Sequence, residues 1–248
     1  MENAERPLIS IITVCFNAVS SIEKTIGSVL GQRYEEIEYI VVDGMSTDGT
    51  YEIVQKFSDK IQIIHEADSG IYDAMNKGAL AAAGEYVYFL NSGDVLKTPD
   101  TIGNIVSRLK NARPDVICGN VNYIYKDNHQ VLRRYFRHRR FNMFCVAAGW
   151  SVCHQAVFCK TQYFKEKLFD TSYVIWADQE LFAYLIRKRC SVRYVDVTVC
   201  DFDAYGFSYG RDNLAISREE CDRINQTYHN IWRHLFYWPK WLVRKIYH

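Results

Sequence analysis

The sequence predicts an α/β fold whose central sheet is mainly parallel and flanked by helices. Apolar runs that suit buried strands alternate with segments of helical periodicity, turn-forming residues separate them, and polar or acidic residues follow the first four runs. Strands that alternate with helices form parallel sheets with helices on both faces. The carboxyl ends of such strands meet at one edge of the sheet, where ligands bind.

The first quarter of the chain shows this alternation clearly. An apolar run at 8–16 suits a strand, and Ile22, Ile26 and Val29 then recur at helical spacing before Gly31. An apolar stripe at that spacing, ended by a glycine, is typical of a surface helix. The same arguments predict a strand at 37–42 that runs into Asp43, a helix at 51–57 and a strand at 61–64.

The segment 66–94 is the most informative part of the sequence. Small helix-forming residues fill 70–83, and an apolar run follows at 86–90, which predicts a helix and then a strand covered on both faces. The strand leads into Asn91-Ser92-Gly93-Asp94, where a carboxylate can hold a divalent cation against a diphosphate. All four residue types also favour turns, so an ordinary turn is the alternative.

The second half alternates less regularly. We predict a helix that opens at Thr98-Pro99-Asp100, a strand pair at 115–125 and 131–136, and a helix at 178–189 with an acidic start and a basic end. Arginines cluster within 133–140. Guanidinium groups match phosphate geometry, so this cluster suits a diphosphate, with a solvated face as the alternative.

Residues 228–248 interleave aromatic and basic side chains. This mixture suits a membrane interface, and a helix packed on the body of the protein is the alternative. We therefore predict one domain at 1–227, with one half at about 7–95 and the other at about 96–227, followed by this tail.

Composition restricts the class of protein. The 248 residues are 48% hydrophobic, which allows a full core, and 30 basic residues balance 29 acidic ones. A net charge this close to zero gives no overall electrostatic attraction for nucleic acid, so we expect no nucleic acid partner. Eight cysteines without a CxxC pair suit buried thiols. With no secretory signal and no run of about 18 apolar residues, we expect a cytoplasmic protein.

Five motifs carry a resemblance to a known family. They are Val14-Cys15-Phe16-Asn17, VVDGMSTDGT at 41–50, ADSGIYDAMNKG at 67–78, FLNSGD at 89–94 and ADQELF at 177–182. In this order they resemble the motifs of the inverting family 2 glycosyltransferases, and the match covers roughly residues 7 to 208. The likeness is strongest to bacterial enzymes of exopolysaccharide, capsule or lipopolysaccharide synthesis. It implies the A-type, nucleotide-sugar-binding fold.

The resemblance also implies a donor site. A nucleotide diphosphate sugar, most simply a UDP-sugar, would be the donor, and Mn or Mg would bridge its diphosphate to Asp94. The remaining donor-binding positions implied by the resemblance are Thr13, Asn17, Asp43, Asp68, Asn76, Asn91 and Ser92.

On the acceptor side, the resemblance implies that Asp178 is the catalytic base. It would take a proton from an acceptor hydroxyl that attacks the anomeric carbon with inversion. A helix N-terminal charge is the structural alternative for Asp178. His154 and Gln155 fall where relatives place groups for the acceptor, which would be a glycan or a lipid-linked glycan at the cytoplasmic face of the membrane.

The chain departs from the family pattern at four positions. Asn91, Gly93 and Ala177 replace acids, and Met75 replaces an arginine that many relatives carry. A nucleotide-sugar-binding or scaffold protein with weakened catalysis is therefore a second hypothesis. A nucleotidyltransferase is disfavoured, because the amino-terminal glycine-rich phosphate loop it requires is missing.

Overall fold

Four parallel strands form the first part of the central sheet. They are β1 (Ile9–Cys15), β2 (Ile37–Asp43), β3 (Gln62–His65) and β4 (Tyr86–Phe89), in the spatial order β3-β2-β1-β4. The computed structural model describes residues 6–124, 131–132, 141–148, 152–203 and 213–229. The predicted alternation is confirmed in this half, and the carboxyl ends of all four strands lie at one edge.

Three helices connect these strands and cover both faces of the sheet. They are α1 (Ile22–Leu30), α2 (Thr50–Gln55) and α3 (Ile71–Ala81). Ile11 packs in one core layer with Ile22 and Ile26 of α1, whereas Ile12 packs in the other with Ala79 of α3. Successive side chains of a strand point to opposite faces, so β1 contributes to both layers.

The sheet continues through strands of mixed direction. Its order extends as β4-β8-β6-β9-β5, with β8 antiparallel to β4 and β6, β6 parallel to β9, and β5 antiparallel to β9, while β7 pairs with β6. These strands are β5 (Val95–Leu96), β6 (Val116–Ile124), β7 (Val131–Leu132), β8 (Val157–Lys160) and β9 (Val192–Asp203). The sheet is thus mainly parallel only in its first half.

Five helices accompany this second half. They are α4 (Thr101–Leu109), α5 (Met143–Ala148), α6 (Thr161–Glu166), α7 (Ala177–Arg187) and α8 (Asn213–Thr227), and a 3₁₀ turn at His154–Ala156 precedes β8. Helix α4 begins after Pro99 rather than at it, with Asp100 as its N-cap residue. Helix α7 begins one residue before Asp178, so this carboxylate lies in its first turn.

Several sequence predictions lie outside the described residues. They concern the arginine cluster at 133–140 and nearly all of the tail, since the description ends at His229. In the ranges given above, no helix has the length and apolar character needed to cross a membrane. All eight cysteines are free thiols, and five of them are buried.

Candidate active site

A cavity of about 960 Å³ opens at the edge of the sheet where β1 and β4 end. Its wall combines the loop after β3, the loop after β4, the 3₁₀ turn and the start of α7. Seven residues predicted from the sequence line it: Asp68, Asn91, Ser92, Asp94, His154, Gln155 and Asp178. The tertiary structure therefore brings the predicted cation ligand and the predicted base to one cavity.

The loop after β4 is a turn, and it also points Asp94 into this cavity. The Asp94 N–H donates to the Asn91 carbonyl at 3.0 Å, and Gly93 has φ 101°, a left-handed conformation that favours glycine. The Thr25 hydroxyl donates to the Asp94 carbonyl and accepts the Gly93 N–H. Helix α1 thus holds the turn in place, and the two interpretations of this motif are compatible.

The Asp94 carboxylate is buried, with 3% of the residue exposed. Its Oδ1 accepts the Asp203 N–H at 3.0 Å, and its Oδ2 accepts the Gln155 amide N–H at 3.2 Å. Burial raises the pKa of Asp94 from 3.8 to about 7, although these two donors favour the charged form. A carboxylate has about four lone-pair sites, so two remain for a cation.

Asp178 faces the same cavity from the first turn of α7. Its Oδ2 lies 3.1 Å from Nδ1 of His154, and its Oδ1 accepts the N–H of Gln179 at 2.7 Å. The second ring nitrogen of His154, Nε2, lies 3.2 Å from the Asn91 amide nitrogen. A chain of hydrogen bonds therefore links Asp178 to the loop after β4.

Asp68 and Phe16 also line the cavity, and both lie close to Gly44. Phe16 is 64% exposed and directly follows β1, which leaves its aromatic ring accessible for stacking. Asp68 Oδ1 accepts the Gly70 N–H at 2.9 Å. Its Oδ2 would lie 2.3 Å from a Cβ atom on residue 44, so any side chain at that position would displace the Asp68 carboxylate.

Four predicted donor residues do not line the cavity. The Thr13 hydroxyl donates to the Leu90 carbonyl at 2.8 Å inside the core, and the Asn76 amide makes two 2.9 Å hydrogen bonds with the Phe169 backbone. These partners turn both side chains away from the cavity. Asn17 and Asp43 are also absent from the lining. Both bond to the loop after β2: Asn17 accepts the Thr47 N–H at 3.0 Å.

Asp43 has partners that sequence analysis did not identify. Its buried carboxylate accepts the Ser46 hydroxyl at 2.5 Å and a ring N–H of His65 at 2.7 Å, and His65 stacks on Tyr51 with ring centroids 3.6 Å apart. His65 ends β3 beside Asp43 in the parallel register. The signal in the sequence that could have identified this partner of Asp43 is a histidine at the end of the neighbouring strand.

Gln179 is a second residue that sequence analysis missed. It lines the cavity beside Asp178, and its amide nitrogen donates to the Val152 carbonyl at 3.1 Å. Its Oε1 is buried and has no hydrogen-bond partner in the described part of the chain. A hydroxyl group in the cavity could donate to this oxygen.

Oxygen atoms at the end of β4 could hold a divalent cation. Asn91 Oδ1 is buried without a hydrogen-bond partner among the described residues, and Asp94 lies three residues later. Amide and carboxylate oxygens are ligands that Mg²⁺ and Mn²⁺ prefer. The described residues contain no cluster of three or more His, Cys, Asp or Glu side chains placed for a metal. Mg²⁺ sites commonly use one or two carboxylates with substrate phosphates and water, so the set fits.

Comparison with protein families and curated proteins identifies relatives of this chain. Residues 10–169 match the family described as glycosyl transferase family 2. A PGL/p-HBAD biosynthesis glycosyltransferase of Mycobacterium bovis is 27% identical over 235 residues, which is 88% of this chain and 84% of the relative. A putative teichuronic acid biosynthesis glycosyltransferase of Bacillus subtilis is 44% identical over 96 residues, 37% of this chain and 38% of the relative.

Solved structures share the fold. S. aureus TarS 1-349 in complex with UDP-GlcNAc superposes with a TM-score of 0.68 at 18% identity and covers 92% of this chain. The mannosyltransferase PcManGT of Pyrobaculum calidifontis, in complex with GDP-Man and Mn2+, gives 0.62 at 19% identity over 83% of the chain. The chain spans 73% and 59% of these two structures. They confirm the predicted A-type fold.

Proposed function

Because the chain belongs to glycosyl transferase family 2, we propose that it moves one sugar from a nucleotide diphosphate donor to a hydroxyl group, with inversion at the anomeric carbon. The sugar is a hexosyl or N-acetylhexosaminyl group. The acceptor is a glycan or lipid-linked glycan of bacterial surface polysaccharide synthesis. The names of the curated relatives, which concern glycolipid and teichuronic acid synthesis, support this context.

One observation carries the proposal: Asp94 and Asp178 line the same cavity, and the turn at His154–Ala156 contacts both. Transfer with inversion requires a group that binds the leaving diphosphate and a base on the attacking side. The two carboxylates supply these functions from different halves of the chain. A helix-capping role alone would not require Asp178 to face the cavity.

In the proposed reaction, the acceptor oxygen bonds to the anomeric carbon while its proton passes to Asp178. The bond between that carbon and the diphosphate oxygen breaks, and its electron pair leaves with the nucleoside diphosphate. A divalent cation, Mn or Mg, would supply positive charge for the diphosphate when bound. Asp94 and Asn91 Oδ1 would hold it. Gln179 Oε1 accepts a hydrogen bond from a second acceptor hydroxyl, which orients the nucleophile.

The donor is proposed to be a UDP-sugar, as in the TarS complex with UDP-GlcNAc. Phe16 would stack on the base, and Asp68 would accept a base or ribose N–H or O–H group. Asp43 and Asn17 act indirectly, by fixing the loop after β2. The complex of PcManGT with Mn2+ supports the choice of a divalent cation.

The acceptor is proposed to enter past Ile71 and Val174, exposed apolar side chains in the cavity wall. Apolar surface beside the proposed catalytic base, Asp178, suits an acceptor that carries a lipid. We propose, from the sequence, that the protein acts at the cytoplasmic face of the membrane. The aromatic and basic tail would contact the membrane surface.

The test is a transfer assay with UDP-sugars, Mn or Mg, and a lipid-linked acceptor. Asp178→Asn is expected to lose transfer and keep UDP binding, and Asp94→Asn to lose cation-dependent UDP binding. Asp59→Asn, an exposed site, is the matched control and keeps both. Transfer by Asp178→Asn at the parent rate would remove Asp178 from the mechanism.

A binding or scaffold protein with the same fold is the second candidate, favoured by Asn91, Gly93 and Ala177 in place of acids. Calorimetry with UDP discriminates between the two. The scaffold would bind UDP without a cation and would neither transfer nor hydrolyse the sugar. The enzyme would bind UDP more tightly when Mn or Mg is present.

A further inference from the structure

Two adjacent residues of the 3₁₀ turn contact the carboxylates of Asp94 and Asp178. The Gln155 amide nitrogen donates to Asp94 Oδ2 at 3.2 Å, and His154 Nδ1 lies 3.1 Å from Asp178 Oδ2. Gln155 is 2% exposed, and its Oε1 accepts the Cys153 thiol at 2.5 Å. The turn therefore has a fixed position relative to Asp94, and His154 extends from it to Asp178.

The hydrogen bonds around His154 have a defined direction. A carboxylate oxygen only accepts, so Nδ1 must carry the hydrogen that reaches Asp178. The Nε2 atom then faces the amide nitrogen of Asn91, 3.2 Å away, as an acceptor. The two hydrogen bonds thus run in one direction: Asn91 donates to His154, and His154 donates to Asp178.

This direction leaves Asn91 Oδ1 buried and without a partner among the described residues. A buried acceptor without a partner is unfavourable. Asp94 and Asn91 Oδ1 would together hold a divalent cation, which would give this oxygen a partner. The amide nitrogen must then point to His154, because the two atoms lie on opposite branches of one planar group.

We propose that His154 is a positioning residue that orients the Asp178 carboxylate and links it, through Asn91, to the predicted diphosphate and cation site. The proposal rests on the proposed function, because it takes Asp178 as the base. The Asn91 amide donates to Nε2, the ring hydrogen therefore lies on Nδ1, and that hydrogen holds Asp178 toward the acceptor.

Two substitutions separate the two hydrogen bonds of the ring. His154→Asn places an amide near the Nδ1 position and retains a donor for Asp178, whereas His154→Gln reaches toward Asn91 and loses Asp178. We expect kcat to fall about 10-fold in His154→Asn and about 100-fold in His154→Gln, the range typical of residues that orient a functional group. The Kd for UDP with Mg²⁺ should change less than about twofold, and exposed His229→Gln should match the parent.

The direction of these two hydrogen bonds can be tested without catalytic turnover, by ¹⁵N NMR of histidine-labelled protein. Unliganded protein should carry the His154 hydrogen on Nδ1, and UDP with Mg²⁺ should shift the His154 signals. Asn91→Asp, which places an acceptor opposite Nε2, should place a hydrogen on Nε2.

The outcomes distinguish the two proposals. A parent protein that transfers no sugar and binds no UDP overturns the proposed function, while the NMR of the unliganded protein still decides the hydrogen-bond direction. A His154 hydrogen found only on Nε2 overturns the inference about His154. So does a His154→Gln variant with the parent kcat, or one that has lost UDP binding in proportion to kcat.

Discussion

The Glu220 carboxylate of α8 accepts the backbone N–H of Trp176 at 3.0 Å, immediately before the helix that carries Asp178. The same carboxylate accepts the N–H groups of Val174 and Ile175 at 2.5 and 3.0 Å. Glu220 is buried. One side chain from the last described helix therefore fixes the backbone that forms the acceptor side of the cavity.

Glu220→Gln should reduce the free energy of unfolding by about 2 kcal/mol, because hydrogen bonds to a charged acceptor are lost and an amide NH₂ meets three N–H groups. Urea unfolding measures the change. UDP affinity should stay the same, since the three N–H groups that Glu220 accepts do not belong to the residues proposed to bind the donor. Glu219→Gln, exposed on the same helix, is the control. Equal stability of the two variants would show that this contact contributes nothing.

The stability of the cation-free protein should fall as pH rises from about 4 to 7. Burial raises the pKa of Asp94 from 3.8 to about 7, so in this window the folded state holds a proton that the unfolded state has released. The stabilisation is complete below pH 3.8 and lost through pH 7, and amounts to at most about 4 kcal/mol.

Urea unfolding in chelator at pH 4.5, 6 and 8 measures this effect. The carboxyls with lowered pKa, such as Asp115 and Asp170, contribute mainly below this window. Asp94→Asn should flatten the profile. If the free energy of unfolding of the parent protein rises with pH over the same interval, the raised pKa of Asp94 is contradicted.

Gly44→Ala should weaken UDP binding about 10-fold, or about 1.4 kcal/mol, with little loss of stability. The added Cβ would lie 2.3 Å from Asp68 Oδ2 and 3.5 Å from Phe16, so the Asp68 side chain must move. Calorimetry with UDP measures the loss. Gly103→Ala is the matched control, because no atom lies within 4 Å of its Cβ inside α4. It should keep UDP binding and raise stability by about 0.5 to 1 kcal/mol.

His65→Phe should destabilise the protein by about 1 to 3 kcal/mol, because it removes the N–H donor of the buried Asp43 carboxylate and keeps a ring on Tyr51. Chemical denaturation gives the value. Tyr51→Phe retains the stack and serves as the comparison. If His65→Phe proves as stable as the parent, the hydrogen bond to Asp43 is not a source of stability.

Sequence patterns predicted the first half of the fold well. The strands β1 to β4 and their helices follow from local hydrophobic periodicity, and a buried parallel strand has few other solutions. The second half was harder to predict. β8 is a short strand that enters between β4 and β6 in the antiparallel direction, and no local pattern specifies which neighbour a strand finds.

The candidate site divides in the same way. Motif order identified Asp94, Asp178, His154 and Gln155, all of which line the cavity. It also suggested Thr13 and Asn76, whose hydroxyl and amide groups bond to Leu90 and Phe169 behind the wall. A motif gives the residue type, whereas the direction of its side chain depends on which distant backbone groups lie within hydrogen-bonding distance.

The amino-acid sequence alone determined the alternating strands, the family and the acids that follow strand ends, because these depend on residues close together in the chain. Only the tertiary structure decided that Asp94 and Asp178 share a cavity and that His154 lies between Asp178 and Asn91. In the described part of the chain, four strands and three helices lie between Asp94 and Asp178. Their geometry is set by packing of the whole sheet, not by any local preference.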